Sequence, residues 1–214
     1  MALSATIYRW QVNVSDVDRG VYESLDLRLA RHPSESARYL LTRMLAYCLS
    51  YEEGIAFSKG GISSTEEAPV SIHDPTGLLK AWIDVGSPSA ERLHKASKAA
   101  PRVALFTTAD LTPLRREAGA IHRAAAIEVH AVDPGLVDAF ELKLERNLSF
   151  ELTRTDAHLY VSLGTDTLSG EIARSSPERS VISARSTAPG RCPPPRSGPP
   201  CRGSRRCAPG SRPV

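Results

Sequence analysis

The sequence predicts an α/β protein with a mixed central sheet, flanking helices and an N-terminal β-hairpin. The chain has 214 residues, of which 41% are hydrophobic and 24% charged, as in an ordinary globular domain. Alternating apolar residues near the start indicate strands, and strand and helix patterns alternate between Leu78 and Val132. That alternation is typical of parallel β-α-β units. We therefore expect one α/β domain over residues 1–170.

The N-terminal hairpin is predicted from two runs with the period of a strand. Residues 3–14 and 25–29 alternate apolar with polar side chains, and a turn at 16–20 separates them. The apolar face consists of Tyr8, Trp10, Val12, Val14, Leu25, Leu27 and Leu29. We expect this face to be buried and the other face to meet solvent.

A helix is predicted to follow the segment 31–35. Ser34 is the expected N-cap, and Glu35 then lies in the first turn, where a negative charge suits the helix dipole. Apolar residues at i, i+3, i+4 and i+7 form its buried stripe, and Gly54 marks the end of the helix. The stripe consists of Leu41, Met44, Leu45 and Cys48.

Residues 66–95 predict a strand, a tight turn, a second strand and a helix. The turn is Asp74-Pro75-Thr76-Gly77, in which Pro suits the second position and Gly the fourth. A short strand at 55–59 precedes this unit. The later predicted elements are helix 89–99, strand 102–107, helix 113–122, strand 127–132, helix 134–140 and a hairpin of strands 148–152 and 158–162.

Chemistry is expected at the open end of the central hairpin. If the turn is centred between Pro75 and Thr76, antiparallel pairing places Asp84 opposite Glu67, with Glu66 one position further. Lys95 on the next helix can reach these acids. Carboxylates gathered beside an ammonium group require a cation or a substrate phosphate to balance them.

The C-terminal stretch differs from the rest of the chain. Residues 171–214 contain nine arginines, no lysine and two acids, a charge of +7, whereas the remainder carries −4. We expect this Arg/Pro-rich tail to be disordered. Its abrupt start suggests out-of-frame translation, and the alternative is a genuine basic arm that binds nucleic acid or acidic partners. Any basic groove in the folded part must be local.

Other sequence features exclude several classes of protein. The spacing of Cys48, Cys192, Cys201 and Cys207 supports neither a disulfide framework nor a zinc site. The N-terminus lacks the pattern of a signal peptide, and no apolar run is long enough to cross a bilayer. We expect a cytoplasmic protein that does not bind membranes, and the sequence leaves its oligomeric state open.

Several segments together resemble the bacterial YaeQ family. They are the opening MALSATIYRW and the segments 29–35, 82–86 and 88–96, and the resemblance covers roughly residues 1–165. It implies a variant of the restriction-endonuclease-like fold, the PD-(D/E)XK type of nuclease. The resemblance does not bring an established activity with it.

The nuclease resemblance implies a magnesium site. Glu35 matches the helix acid, Glu66 the first strand acid and Asp84 the second, and these acids hold Mg²⁺ in such nucleases. The lysine expected two residues after Asp84 is replaced by Gly86, so Lys95 is the candidate substitute. Because Glu66 and Glu67 are adjacent, which of them is the site acid stays open.

His32, Ser34 and Arg38 are candidate substrate-binding residues that would line a phosphate-facing groove. For His32 a structural role beside Pro33 is the alternative.

Two functions follow as hypotheses. The first is a metal-dependent, nuclease-like protein that acts on or binds nucleic acid phosphodiesters. The second is a non-catalytic binding module with a degenerate nuclease fold, linked to nucleic acid or to transcription. A third possibility is the unstable product of a damaged gene.

Overall fold

The computed structural model describes residues 5–58 and 67–178. These residues form ten strands and four α-helices, with short 3₁₀ turns at Ala118–Ala120 and Ala124–Ala126. The strands are β1 (Thr6–Asp16), β2 (Val21–Arg31), β3 (Ile55–Phe57), β4 (Val70–His73), β5 (Leu79–Val85), β6 (Arg102–Thr107), β7 (Glu128–Val132), β8 (Asn147–Thr155), β9 (His158–Leu163) and β10 (Asp166–Ser175). The helices are α1 (Ala37–Leu49), α2 (Ala90–Ala99), α3 (Thr112–Arg116) and α4 (Pro134–Glu141). Among the described helices, none is long and apolar enough to cross a membrane.

All the described strands belong to one mixed sheet with the order β2-β1-β8-β9-β10-β7-β6-β5-β4-β3. Strand β10 joins two halves, because residues 166–171 pair with β9 and residues 172–175 pair with β7. We call β2-β1-β8-β9 with the start of β10 the first half-sheet, and the end of β10 with β7-β6-β5-β4-β3 the second half-sheet. The predicted mixed α/β class is confirmed.

Helix α1 lies against strands of both half-sheets, and the sheet curves around it as a nearly closed barrel. Its two edge strands, β2 and β3, are not hydrogen-bonded to each other. Arg43 of α1 spans the gap between them: one guanidinium nitrogen donates to the Ala30 carbonyl of β2 at 3.0 Å, and the guanidinium carbon lies 5.6 Å from the Phe57 ring centre of β3.

The two half-sheets differ in what covers their outer face. In the first, apolar side chains face α1 and polar ones face solvent, so the predicted hairpin and its buried face are confirmed. In the second, α2 and the 3₁₀ turns pack on the outer face and form a second core around Trp82, Leu93 and Leu105. Strands β5 and β6 are therefore buried on both faces, which explains their nearly continuous apolar sequence.

Helix α1 begins later than the sequence suggested. Its N-cap is Ser36, whose side chain accepts a hydrogen bond from the backbone amide of Tyr39. The prediction of Ser34 as the cap was wrong, and Glu35 lies before the helix rather than in its first turn. Both serines satisfy the N-cap preference, and the one nearer the apolar stripe is used.

Other boundaries also differ. The helix expected at 113–122 ends at Arg116 and continues as a 3₁₀ turn through Gly119, a residue that weakens helices. The final strand, β10, was not predicted, and the expected domain boundary after Gly170 falls inside it. Of the tail predicted to be disordered, residues 171–214, the first five residues belong to β10, and residues 179–214 lie outside the described residues.

The register of the central hairpin was also predicted wrongly. Val70 pairs with Ile83, so Asp84 is one residue beyond this pair whereas Glu67 is three residues before it. Two shifts of one residue produce this difference: the turn is centred at Thr76 rather than between Pro75 and Thr76, and Lys80 is an extra residue between the pairs His73↔Leu79 and Ile72↔Ala81. Pairing across the strands therefore does not place Glu67 opposite Asp84.

Candidate functional site at the end of strand β5

Asp84 is a buried carboxylate near the end of β5, on the strand face covered by α2. Its Oδ1 accepts a hydrogen bond from the Val85 amide at 3.0 Å. Its Oδ2 accepts from the indole nitrogen of Trp82 at 3.2 Å and from Nε of Arg92 at 2.6 Å. Both oxygens are thus occupied by donors, and one of these donors is a cation.

Arg92 is placed over Asp84 by the start of helix α2. Ser89 caps the helix by accepting from the Arg92 amide, which fixes this residue in the first turn. The guanidinium lies 5.6 Å from the ring centre of Trp82, and one Nη donates to the carbonyl oxygen of Glu67 at 3.0 Å. Arg92 therefore ties together β5, α2 and the segment before β4.

Glu35 forms a second buried ion pair, at the start of α1. Its Oε1 lies 3.0 Å from Nη2 of Arg43, and its Oε2 accepts from the backbone amide of His32 at 3.1 Å. Both members of the pair are almost fully buried. Burial raises the pKa of Glu35 above its usual value, while Arg43 acts in the opposite direction.

Tyr39 is close enough to both ion pairs for their charges to act on it. Burial raises the pKa of Tyr39 to about 12, and the negative charges of Asp84 and Glu35 add to this effect. A side chain at Gly86 would place its Cβ 3.4 Å from the Tyr39 ring, so the ring packs beside the end of β5. The structure thus brings Glu35 and Asp84 around one tyrosine, each with its own arginine.

The remaining predicted site residues have different positions. Lys95 is exposed on α2, and the cation that the structure places on the Asp84 carboxylate is Arg92. Glu66 lies outside the described residues. Glu67 is exposed, and its side chain accepts a hydrogen bond from the Ser58 hydroxyl at 2.9 Å.

The three predicted substrate-binding residues lie near Glu35. His32 is half-buried, and its Nδ1 accepts from the backbone amide of Ser34, which is itself exposed. Arg38 forms an ion pair with Asp138 of α4. His32 thus stabilises the turn before α1, which is the structural role given above as the alternative. That these three residues line a phosphate-facing groove stays a prediction.

The described residues do not fit a magnesium centre by themselves. Mg²⁺ requires near-octahedral oxygen ligands, whereas the carboxylates of Asp84 and Glu35 are each occupied by an arginine and by N–H donors. Within residues 5–58 and 67–178, no three His, Cys, Asp or Glu side chains lie together as a metal-binding group. The third predicted ligand, Glu66, lies outside these ranges.

Sequence reasoning missed the two arginines that hold these acids. Arg43 carried a signal, because a cation inside the apolar run Leu40–Leu49 needs a buried partner. Arg92 carried a weaker one: it lies one turn before Lys95, and the first turn of α2 is nearest to the end of β5. Trp82 gave no signal, since an aromatic residue in a buried strand is ordinary core.

Comparison with known proteins identifies the family. A family model described as YaeQ protein matches residues 1–172. The chain belongs to the YaeQ family. The chain is 40% identical over 107 residues to the uncharacterized protein YaeQ of Escherichia coli (strain K12), a match that covers 50% of this chain and 59% of that relative. It is 30% identical over 165 residues to YaeQ of Salmonella typhi, covering 76% of this chain and 91% of the relative.

Two crystal structures of YaeQ proteins share this fold. The protein from Pseudomonas syringae superposes with a TM-score of 0.73 at 27% identity, covering 79% of this chain and 95% of that one. The protein from Xanthomonas axonopodis pv. citri gives a TM-score of 0.73 at 27% identity, covering 80% and 98%. The family resemblance predicted from the sequence is therefore confirmed, and the large mixed sheet with few helices matches these structures.

Proposed function

We propose that this protein is a binding module for nucleic acid phosphodiesters, and that it binds them on the outer layer of the second half-sheet. The observation that carries the proposal is a charge asymmetry. Residues 88–127, which form this layer and the strand β6 beneath it, contain seven Lys or Arg and three Asp or Glu. Their net charge is +4, and it is +2 when Asp84 and Glu52, the ion-pair partners of Arg92 and Arg102, are included, although residues 1–170 together carry −4. A local basic surface on an acidic domain attracts the phosphate backbone.

The side chains of this layer suit backbone contacts. Lys98 on α2 and Arg116 on α3 are exposed, whereas Arg92 is anchored at the centre by Asp84 and Trp82. A groove of about 530 Å³ adjoins the layer on the outer face of β3, β4 and β5. Its lining is mostly apolar, with Phe57, Leu79 and Trp82 beside Ser58, Glu67, Ser71 and His73. The exposed cations of the layer can position a phosphate chain without reading its sequence.

The arginine pairing of both acids favours binding over catalysis. A nuclease of the type that the resemblance implies needs carboxylates available to Mg²⁺, which would supply Lewis acidity at the phosphate. Here Asp84 and Glu35 are neutralised by Arg92 and Arg43 instead. We infer a degenerate variant of the restriction-endonuclease-like fold. The antiparallel unit β3-β4-β5, followed by α2 and the parallel strand β6, supports that assignment.

A metal-dependent nuclease is the second candidate. The observation in its favour is that Glu35 and Asp84 converge on Tyr39, so two of the three implied ligands lie in one region. The test of this candidate is incubation of the protein with DNA and RNA in the presence of Mg²⁺ or Mn²⁺. We expect no cleavage. Cleavage that is lost in Asp84→Asn would overturn the binding-only proposal in favour of the nuclease.

Binding is tested by fluorescence anisotropy with labelled single- and double-stranded DNA and RNA over a series of salt concentrations. The full chain is used throughout, so that its arginine-rich C-terminal stretch contributes equally to every variant. The double variant Lys98→Gln/Arg116→Gln should weaken binding and reduce the salt slope by roughly 1 to 2, since each lost phosphate contact accounts for about one unit.

The matched control is Lys80→Gln/Lys143→Gln, which removes the same charge from cations half-exposed outside this layer. It should leave the salt slope unchanged. Equal effects of both double variants would mean that only net charge matters, and no effect of either would place binding in the C-terminal stretch. Either result would refute the proposed surface.

A further inference from the structure

The edge strand β2 is unusually long and regular for an unpaired edge. It pairs with β1 without interruption from Val21↔Asp16 to Arg31↔Thr6. Among the described residues, no strand pairs with its other side. Natural proteins commonly shorten, bend or bulge such edges, because the open backbone groups recruit another strand. Strand β2 has no bulge and no proline.

The backbone groups on the open edge can be assigned. The Arg9 amide donates to the carbonyl of Arg146, just before β8. The odd-numbered residues of β1 therefore direct their backbone amides and carbonyls toward β8. Arg9 pairs with Arg28, which must then direct its own amide and carbonyl away from β1. The Ala30 carbonyl, two residues further along β2, accepts a hydrogen bond from Arg43 and not from β1. This is consistent with even-numbered residues of β2 directing their backbone groups away from β1. The amides and carbonyls of Asp26 and Arg28 therefore line the open edge.

The side chains beside this edge carry an unbalanced charge. Arg28 lies directly opposite Arg9 on the solvent-facing side, and like charges in this position are destabilising. Among the described residues, no carboxylate lies within ion-pair distance of either guanidinium, although Asp26 lies two positions along β2. Arg28 therefore has a repulsive neighbour on one side, and on the other side an edge that is open up to Ala30, where Arg43 binds the carbonyl.

The sequence of β2 is complementary to itself when run antiparallel. If two copies meet edge to edge with Leu27 on the twofold axis, Asp26 of each lies opposite Arg28 of the other. Both residues direct their backbone groups to this edge, so the pair is hydrogen-bonded and the side chains stand on the same solvent face. The axis would produce this ion pair twice, as an isologous interface requires.

The neighbouring registers that also pair even-numbered residues with even-numbered residues across the edge are unfavourable. With the axis at Asp26, this carboxylate would face its own copy, and with the axis at Arg28, two guanidiniums would meet. With the axis at Leu25, Asp26 would face Ser24 and leave Arg28 unmatched. The charges therefore select one register among those that the backbone allows.

We propose that the protein forms a symmetric dimer through antiparallel pairing of β2 with the β2 strand of a second copy, centred on Leu27. The contact joins two ten-stranded sheets into one continuous sheet. It also supplies the partner's Asp26 to the Arg28 that Arg9 repels. The interface is a strand addition, so its affinity comes from backbone hydrogen bonds and its register from the charges. This proposal does not depend on the proposed function.

Charge reversal tests the register directly. Sedimentation equilibrium of the full chain under reducing conditions, which prevent cysteine cross-links, should show a monomer–dimer equilibrium. Asp26→Arg and Arg28→Asp should each weaken the dimer by about tenfold or more, since each converts two attractive cross-strand pairs into two repulsive ones. The double variant Asp26→Arg/Arg28→Asp restores both pairs and should recover the dimer.

Glu151→Arg is the matched control, because this exposed acid lies on the same sheet face but on β8, which is paired on both sides. It should leave the dimer intact. Circular dichroism establishes whether each variant is folded. If Asp26→Arg does not fold, the milder substitution Asp26→Asn replaces it. A protein that is monomeric at all concentrations would overturn the proposal. A dimer that is insensitive to the single reversals, or not rescued by the double one, would do the same.

Discussion

The start of helix α1 and the end of strand β5 each bury a carboxylate against an arginine, but they differ in access to solvent. In the first, Arg43 and Glu35 are 2% and 0% exposed. In the second, Asp84 is 3% exposed while Arg92 is 21% exposed. The first pair closes the gap between the sheet edges, so its role is structural. The second has one member, Arg92, that belongs to the basic layer and is partly exposed to solvent.

The closed pair gives the largest expected effect on stability. Arg43→Met leaves the Glu35 carboxylate buried without its cation and should lower the free energy of unfolding by about 3–5 kcal/mol. Urea denaturation followed by circular dichroism measures this loss. The double variant Glu35→Met/Arg43→Met removes both charges and should recover most of it. If the double variant is as unstable as the single one, packing rather than charge explains the loss.

The open pair should contribute less. Asp84→Asn keeps the shape of the side chain but removes the charge that accepts from Arg92 and Trp82, and we expect a loss of about 2 kcal/mol. The same urea experiment measures it. Asp138→Asn, at the exposed ion pair with Arg38, is the control and should have no measurable effect. A loss at Asp84 equal to that at Arg43 would remove the distinction between the two regions.

The pH dependence of the Arg43→Met variant sharpens the comparison. Burial already holds the pKa of Glu35 above its usual value of 4.5, and without Arg43 it should rise further. Between 4.5 and the folded pKa, the folded state keeps a proton that the unfolded state has lost, so stability falls as pH rises. Wild type behaves in the same way up to its own raised pKa of Glu35. The stability difference from wild type should therefore grow by up to about 1.4 kcal/mol per pH unit only between the folded-state pKa of Glu35 in wild type and the higher one in the variant. A constant difference would show that Glu35 does not change ionisation there.

The outline of the fold could be predicted from the sequence because its strongest signals are local. The strands β1 and β2 alternate cleanly, since one face meets solvent and the other meets α1. Strand β6 was recognised from an apolar run, which burial on both faces requires. The late strand β10 was missed because its composition merges with the polar stretch that follows it.

The candidate site was predictable only in part, because its partners are distant in the chain. Asp84 was identified from its position at the end of a buried strand, and burial confirms its unusual environment. The pairing of Asp84 with Glu67 failed because the turn is centred at Thr76 and because β5 carries an extra residue, Lys80, and each of these shifts the register by one. The local pattern favours Arg92 over Lys95 only weakly, because which of them reaches the carboxylate depends on how α2 leaves the end of β5.

Gly86 gives the smallest expected effect and tests what separates this site from the implied nuclease site. Its φ of 84° lies in the left-handed region, and its amide donates to the Phe106 carbonyl at 2.9 Å. Gly86→Ala should lower the free energy of unfolding by about 1 kcal/mol, whereas Gly86→Asn, which tolerates this conformation better, should cost less. Urea midpoints of the two variants measure the difference. A lysine at position 86 would meet the same backbone strain. If Gly86→Ala is less stable than Gly86→Asn, this strain explains why the cation that pairs with Asp84 comes from α2 and not from β5. The reverse order would mean that the strand end relaxes, and that position 86 could accept the lysine after all.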